Sequence, residues 1–241
     1  MDILSDTWGW LTTSANWWGP AGILQRIWEH LQYSFLAVGL ALLIALPLGL
    51  VIGHTGRFEP GVVTASGAAR AIPTLGLLVL FGRWYPLQAW PVIVVLAVLA
   101  IPPILANTTA GIAGVDPAAR DAAAGMGMRP AQVLAQVEVP LAAPLILAGV
   151  RSAVLQVIAT ATIAAYIGLG GLGRFIIDGF AVSDDAEVYG GSVIVAALAL
   201  VSEGLFVLAQ RRTAPGVERQ RLGPADPTLI SVPTTPVGVI P

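Results

Sequence analysis

Long apolar runs separated by short polar breaks dominate this 241-residue chain. A bilayer core about 30 Å thick needs ~20 mostly apolar residues at roughly 1.5 Å rise each. Five stretches reach that length: 33–53, 62–82, 86–109, 141–167 and 189–209. The first is uncharged, and the second carries Arg70 near its start. The third is also uncharged but holds Pro91, Pro102 and Pro103. The fourth carries Arg151 and the fifth Glu203. The pattern predicts an all-α membrane protein with a five-span core over 33–210.

The flanks differ in character. Residues 1–32 hold Trp8, Trp10, Trp17 and Trp18, whose rings favour the membrane–water boundary. Ile23, Ile27 and Leu31 then recur every fourth residue, with Leu24 and Trp28 beside them. Gln25, Arg26, Glu29, His30 and Gln32 fill the other side. This predicts an amphipathic helix that lies along the interface or leads into the first span. Residues 211–241 are rich in Pro, Thr and Gly with no helical period, the composition of a disordered tail.

One polar segment, 116–140, interrupts the apolar runs at length: DPAARDAAAGMGMRPAQVLAQVEVP. Asp116 followed by Pro117 is a helix start, an N-cap oxygen and then a residue whose missing N–H costs nothing there. The alanine-rich 118–124 continues that helix, and Gly125 and Gly127 break it. Arg129–Pro130 opens a second short helix, which Pro140 is expected to end. Ala122, Ala123 and Ala124 leave little bulk on the first helix, so a second surface can come close. Gly127 permits backbone angles that other residues resist. The segment is expected to be a docking loop for a partner protein.

Composition narrows the classes. Hydrophobic residues make up 56% and charged residues 11%, against about 25% charged in an ordinary soluble domain. The mean hydropathy is +0.81. There is no Cys, which excludes disulfides and thiolate metal sites. There is no Lys, so no nucleotide-binding P-loop is possible. His30 and His54 form no metal-hydrolase pattern. The net charge of -2 carries no nucleic-acid footprint. The acidic opening, MDILSDTWGW, lacks a cleavable signal pattern, and insertion is expected from the internal apolar segments.

Arginine placement sets the expected orientation. With the N-terminus outside, the inner segments hold Arg57, Arg120, Arg129, Arg211, Arg212, Arg219 and Arg221. The outer segments hold only Arg26, Arg83 and Arg174, beside the acidic Asp178, Asp184, Asp185 and Glu187. This predicts an N-out, C-in chain with 116–140 in the cytoplasm.

The loop carries a family likeness. Asp121-Ala122-Ala123, Gly127, Val137 and Val139-Pro140 resemble the EAA loop of permease subunits of bacterial ABC importers, with Asp for Glu at 121 and Val for Leu at 139. The resemblance extends over about 30–210. Ile72-Pro73-Thr74-Leu75, Pro103-Ile104-Leu105-Ala106-Asn107-Thr108 and the run Gly168 to Gly173 are similar to segments of permeases that import quaternary-ammonium osmoprotectants. It implies a type I ABC importer permease core, MetI-like, that does no covalent chemistry and binds no cofactor. It also implies a cytoplasmic ABC ATPase that holds the ATP and docks on Asp121, Ala122, Ala123, Gly127, Val137, Val139 and Pro140. Further implied partners are a second permease, identical or related, an extracytoplasmic binding protein, and the lipid of a bacterial plasma membrane. The implied cargo is glycine betaine, carnitine, choline or proline. Another small nutrient such as an amino acid is the alternative within the family; a stand-alone channel or sensor is the alternative outside it.

Two further features have local readings. Gly168, Gly170, Gly171 and Gly173 spell a dinucleotide-like GxGxxG, but no βαβ pattern surrounds it. A glycine turn at the outer end of the fourth span, a candidate outer gate, fits better. Arg70, Arg151 and Glu203 lie within apolar runs, where an ionisable group needs a partner. They are candidate members of an intramembrane ion pair.

Overall fold

The computed structural model describes residues 2–57, 61, 62, 64, 67 and 73–213, without the side chains of 211–213. Arg70, Ile72 and the tail beyond 213 lie outside the described residues, so the expectations placed on them do too. The described elements are α1 (Ile3–Thr12), a 3₁₀ turn (Ser14–Asn16), α2 (Ile23–Thr55), α3 (Thr74–Trp84) and α4 (Trp90–Ala113). They continue with α5 (Pro117–Gly125), α6 (Pro130–Val133), a π turn (Leu134–Glu138), α7 (Val139–Ala161), a 3₁₀ turn (Thr162–Ile167), α8 (Gly173–Val182) and α9 (Asp185–Thr213).

Four helical stretches among the described residues are long and apolar enough to cross a membrane: Ile23–Thr55, Trp90–Ala113, Pro130–Ile167 and Asp185–Gln210. Of the expected second span, 62–82, the described residues are 62, 64, 67 and 73–82, and 74–82 belong to the 11-residue α3. The first span differs from its expected bounds. No Gly or Pro separates the amphipathic stretch from the apolar one, so both form a single 33-residue helix from Ile23. Nor does its polar side face outward throughout. His30 is fully buried, and its ring Nε2 meets the carbonyl of Ile158 at 2.9 Å. A second difference is α8, which lies in what the acidic residues suggested was a loop; its Arg174–Asp178 pair is spaced to bridge one helical turn.

The core forms where α2, α4 and α7 meet. Ala37, Ala41 and Ala45 pack with Val92, Leu96, Ala100, Ala153, Val157 and Ala161. Between apolar helices in lipid no hydrophobic force favours contact, so association depends on close fit. Glycine supplies that fit. A Cβ on Gly49 would stand 2.7 Å from the Cβ of Thr108, and one on Gly53 would stand 2.7 Å from the Cβ of Ile112. One on Gly149 would meet the Cβ of Asn107 at 2.7 Å. By contrast α9 stays peripheral: Leu200, Val201, Leu205 and Leu208 are exposed, a face suited to lipid. The N-terminal segment is seated on this frame. Trp10 meets Phe175 of α8 edge-on at 5.2 Å, and Trp17 Nε1 donates to the Leu11 carbonyl at 2.7 Å.

Candidate functional site: the loop between α4 and α7

The loop is built from strong local signals. Asp116 Oδ1 accepts from the Ala118 N–H at 2.9 Å, which caps α5. At the other end, the Met128 N–H reaches the Ala123 carbonyl at 3.2 Å and the Gly127 N–H reaches Ala124 at 2.9 Å. This pair of bonds is a Schellman turn, which requires the left-handed backbone that Gly127 adopts at φ +85. Gln132 Oε1 then accepts from the Arg129 N–H at 2.8 Å and starts α6.

Two expectations for this segment need correction. Asp121, Ala122 and Ala124 are exposed, but Ala123 is buried at 1%. Ala123 therefore fastens α5 to its own chain and is not part of the open face. Pro140 does not end the second helix either. The Val139 N–H bonds to Leu134, five residues back, and the helix runs on into α7. A proline lacks an N–H and crowds the carbonyl four residues earlier; the wider π turn lets the helix continue past it. Val137 and Val139 are half-buried, and Pro140 is exposed.

Behind the open face lies a charge cluster that the sequence reading missed. Glu138 is buried at 1%. Its Oε1 stands 2.9 Å from Arg120 Nε, and its Oε2 accepts from His54 Nδ1 at 2.7 Å. The Arg120 guanidinium also donates to the Ile112 carbonyl at the end of α4. One signal could have exposed this cluster: Glu138 is the single charged residue between 130 and 150, and a lone acid among apolar residues needs a partner. An open pocket of about 300 Å³ lies over the cluster, lined by His54, Arg120, Asp121, Met128, Pro130 and Glu138 among others.

Of the three residues singled out for an ion pair, the structure brings two together. Arg151 of α7 pairs with Glu203 of α9, with Nε donating to Oε2 at 2.6 Å and Nη1 donating to Gln210 Oε1 at 3.1 Å. The glycine turn sits at the opposite end of the bundle, against the start of α2. Glu29, paired with Arg26 at 2.9 Å, accepts the Gly171 N–H at 2.8 Å. Gly168 and Gly171 take φ +84 and +96. A Cβ at Gly170 would overlap the Glu29 carboxylate, and one at Gly173 would overlap the Thr162 carbonyl. Among the described residues, no group of His, Asp or Glu is placed to hold a metal ion.

Known proteins place this arrangement. Residues 45–219 match the family described as binding-protein-dependent transport system inner membrane component. The chain is 38% identical over 201 residues to the choline transport system permease protein OpuBB of Bacillus subtilis, covering 82% of this chain and 91% of that protein. It is 35% identical over 202 residues to the carnitine transport permease protein OpuCB of Listeria monocytogenes, covering 83% and 93%. Its fold matches the inward-facing MetNI methionine ABC transporter with a TM-score of 0.68 at 22% identity, over 79% of this chain and 95% of that one. The chain therefore belongs to the binding-protein-dependent transport system inner membrane components, as a multi-pass, non-enzymatic permease of the ABC importer type.

Proposed function

We propose that this permease conducts a small quaternary-ammonium osmoprotectant, such as glycine betaine, carnitine or choline, into the cell. The observation that carries the cargo is the pair of relatives named for choline and carnitine, each matched over more than nine-tenths of its length. In this reading residues 33–210 form the permease domain, and a second permease, identical or related, completes the path. A cytoplasmic ATPase binds the ATP and docks on the open face of the loop at Asp121 and Ala122. An extracytoplasmic binding protein delivers the solute. Closure of the ATPase draws the two loops together and rocks the helices, so that the site opens to each side in turn.

Docking and cargo are tested together. Ala122→Trp adds bulk to an exposed position of α5. It should leave the permease in the membrane while the co-purifying ATPase and the uptake of labelled glycine betaine, carnitine and choline are lost. Full ATPase recovery with Ala122→Trp would move the docking site elsewhere. Uptake of methionine without any quaternary amine would replace the cargo and leave the permease intact.

The N-out, C-in orientation rests on the arginine asymmetry and has its own test. The absence of native Cys makes single-Cys labelling clean. Cys placed at Ser183 should react with an impermeant thiol reagent from outside, and Cys at Gln132 only after the membrane is opened. Labelling of both from outside would overturn the orientation.

A further inference from the structure

We infer that the Glu138 carboxylate is the joint through which the docking loop moves α2 and α4, a positioning residue for transport. The inference rests on the loop being the ATPase docking site.

Three observations support it. First, Glu138 connects separate elements. Its two oxygens take different partners, Arg120 from α5 and His54 from the last turn of α2. Arg120 in turn holds the carbonyl of Ile112 at the end of α4. Second, these ties end where α2 and α4 interlock. Gly53, beside His54, has no room for a side chain against Ile112, and Gly49 has none against Thr108. A displacement that reaches His54 and Ile112 therefore moves both helices as one body. Third, the covalent route from the loop into α7 passes through the π turn at Leu134–Glu138, where the hydrogen-bond ladder is irregular. Without the clamp, a push on α5 and α6 would be taken up in that turn.

Stability alone does not account for the cluster. A buried ion pair is often replaceable by well-packed apolar residues at no loss, because desolvation offsets the attraction. What apolar packing lacks is direction: it lets surfaces slide, whereas a carboxylate held on both oxygens fixes the loop to two helix ends.

The test uses the complete transporter, with ATPase and binding protein, reconstituted in proteoliposomes and supplied with glycine betaine, carnitine and choline. Glu138→Gln keeps the shape and removes the charge. ATPase should remain bound and hydrolysis should stay within about twofold, while solute moved per ATP falls about tenfold, a size typical of lost coupling between sites. A second variant, His54→Cys with Glu138→Cys, removes the clamp and allows it to be rebuilt, since the chain has no other thiol. Reduced, it should be uncoupled in the same way. Joined by a short bifunctional thiol reagent, it should recover transport per ATP.

An unchanged ratio in Glu138→Gln would overturn the inference, as would a cross-link that stops transport, because the loop would then have to slide on α2. Loss of the assembled complex in both variants would assign Glu138 to folding and overturn it as well. Failure of the ATPase to co-purify with the unmodified chain is a different result: it removes the docking reading itself.

Discussion

Helix α2 is tied at both ends, and the two ties are made differently. At the loop end, the buried Glu138 carboxylate joins His54 to the Arg120 guanidinium, both of them half-buried. At the far end, Glu29 and His30 lie under a turn held mainly by shape, with glycines placed where a Cβ would collide. The charged tie is strong only while every member is paired, because each unpaired buried charge is costly. It suits a point where force must pass between elements in a set direction. The glycine turn uses one carboxylate bond and otherwise close approach of its backbone to the Glu29 side chain and the Thr162 backbone. It suits a closed boundary, which is the role proposed for it as an outer gate. On the two proposals made above, the contrast is one between a part that transmits motion and a part that seals.

The largest expected effect breaks the glycine side of this contrast. At Gly173 an added Cβ meets the backbone of Thr162, which cannot turn aside. Gly173→Ala should therefore cost about 3 kcal/mol or more, the upper range for overpacking, seen as a strongly lowered thermal midpoint or loss from the membrane. At Gly170 the nearest atoms to an added Cβ belong to the Glu29 carboxylate and the Arg26 guanidinium, the far ends of flexible side chains. Gly170→Ala should cost the Glu29–Gly171 bond, about 1.5 kcal/mol for a hydrogen bond to a charged group. Thermal unfolding of the two purified variants compares them. Equal losses would mean that the turn is held by the carboxylate and not by fit.

What the sequence made legible follows the range of the forces involved. Spans follow from run length, and α5 from Asp116–Pro117 and Gly127, all signals contained within a few residues. The all-helical permease fold was readable for that reason. The errors share one cause: their explanation lies elsewhere in the fold. Ala123 is exposed or buried according to what α5 rests on, and His30 reads as polar until Ile158 and the glycine turn close over it. The Glu138–His54 contact joins residues 84 apart in the chain. Pro140 ends a helix by local rules, yet the π turn carries the helix through. Arg151 and Glu203 were legible as a pair because a charge within an apolar run states its own need. Glu138 stated the same need, but it lay in a segment already read as polar.

The smallest effect sharpens the comparison at the loop itself. Gly127 closes the Schellman turn at φ +85, yet nothing stands within 4 Å of an added Cβ. Within this chain its glycine thus serves the backbone, unlike Gly173, where space is also missing. Gly127→Ala should cost about 1 kcal/mol for the left-handed backbone. Gly127→Asn should cost less, because Asn tolerates that region. Both should keep ATPase binding and uptake close to the unmodified level, since neither adds bulk that the chain must accommodate. Thermal midpoints of the assembled transporter, read beside uptake, decide it. A loss near that of Gly173→Ala would mean that a partner packs against Gly127 in the assembly. No loss at all would mean that the turn adopts another backbone once the ATPase is bound.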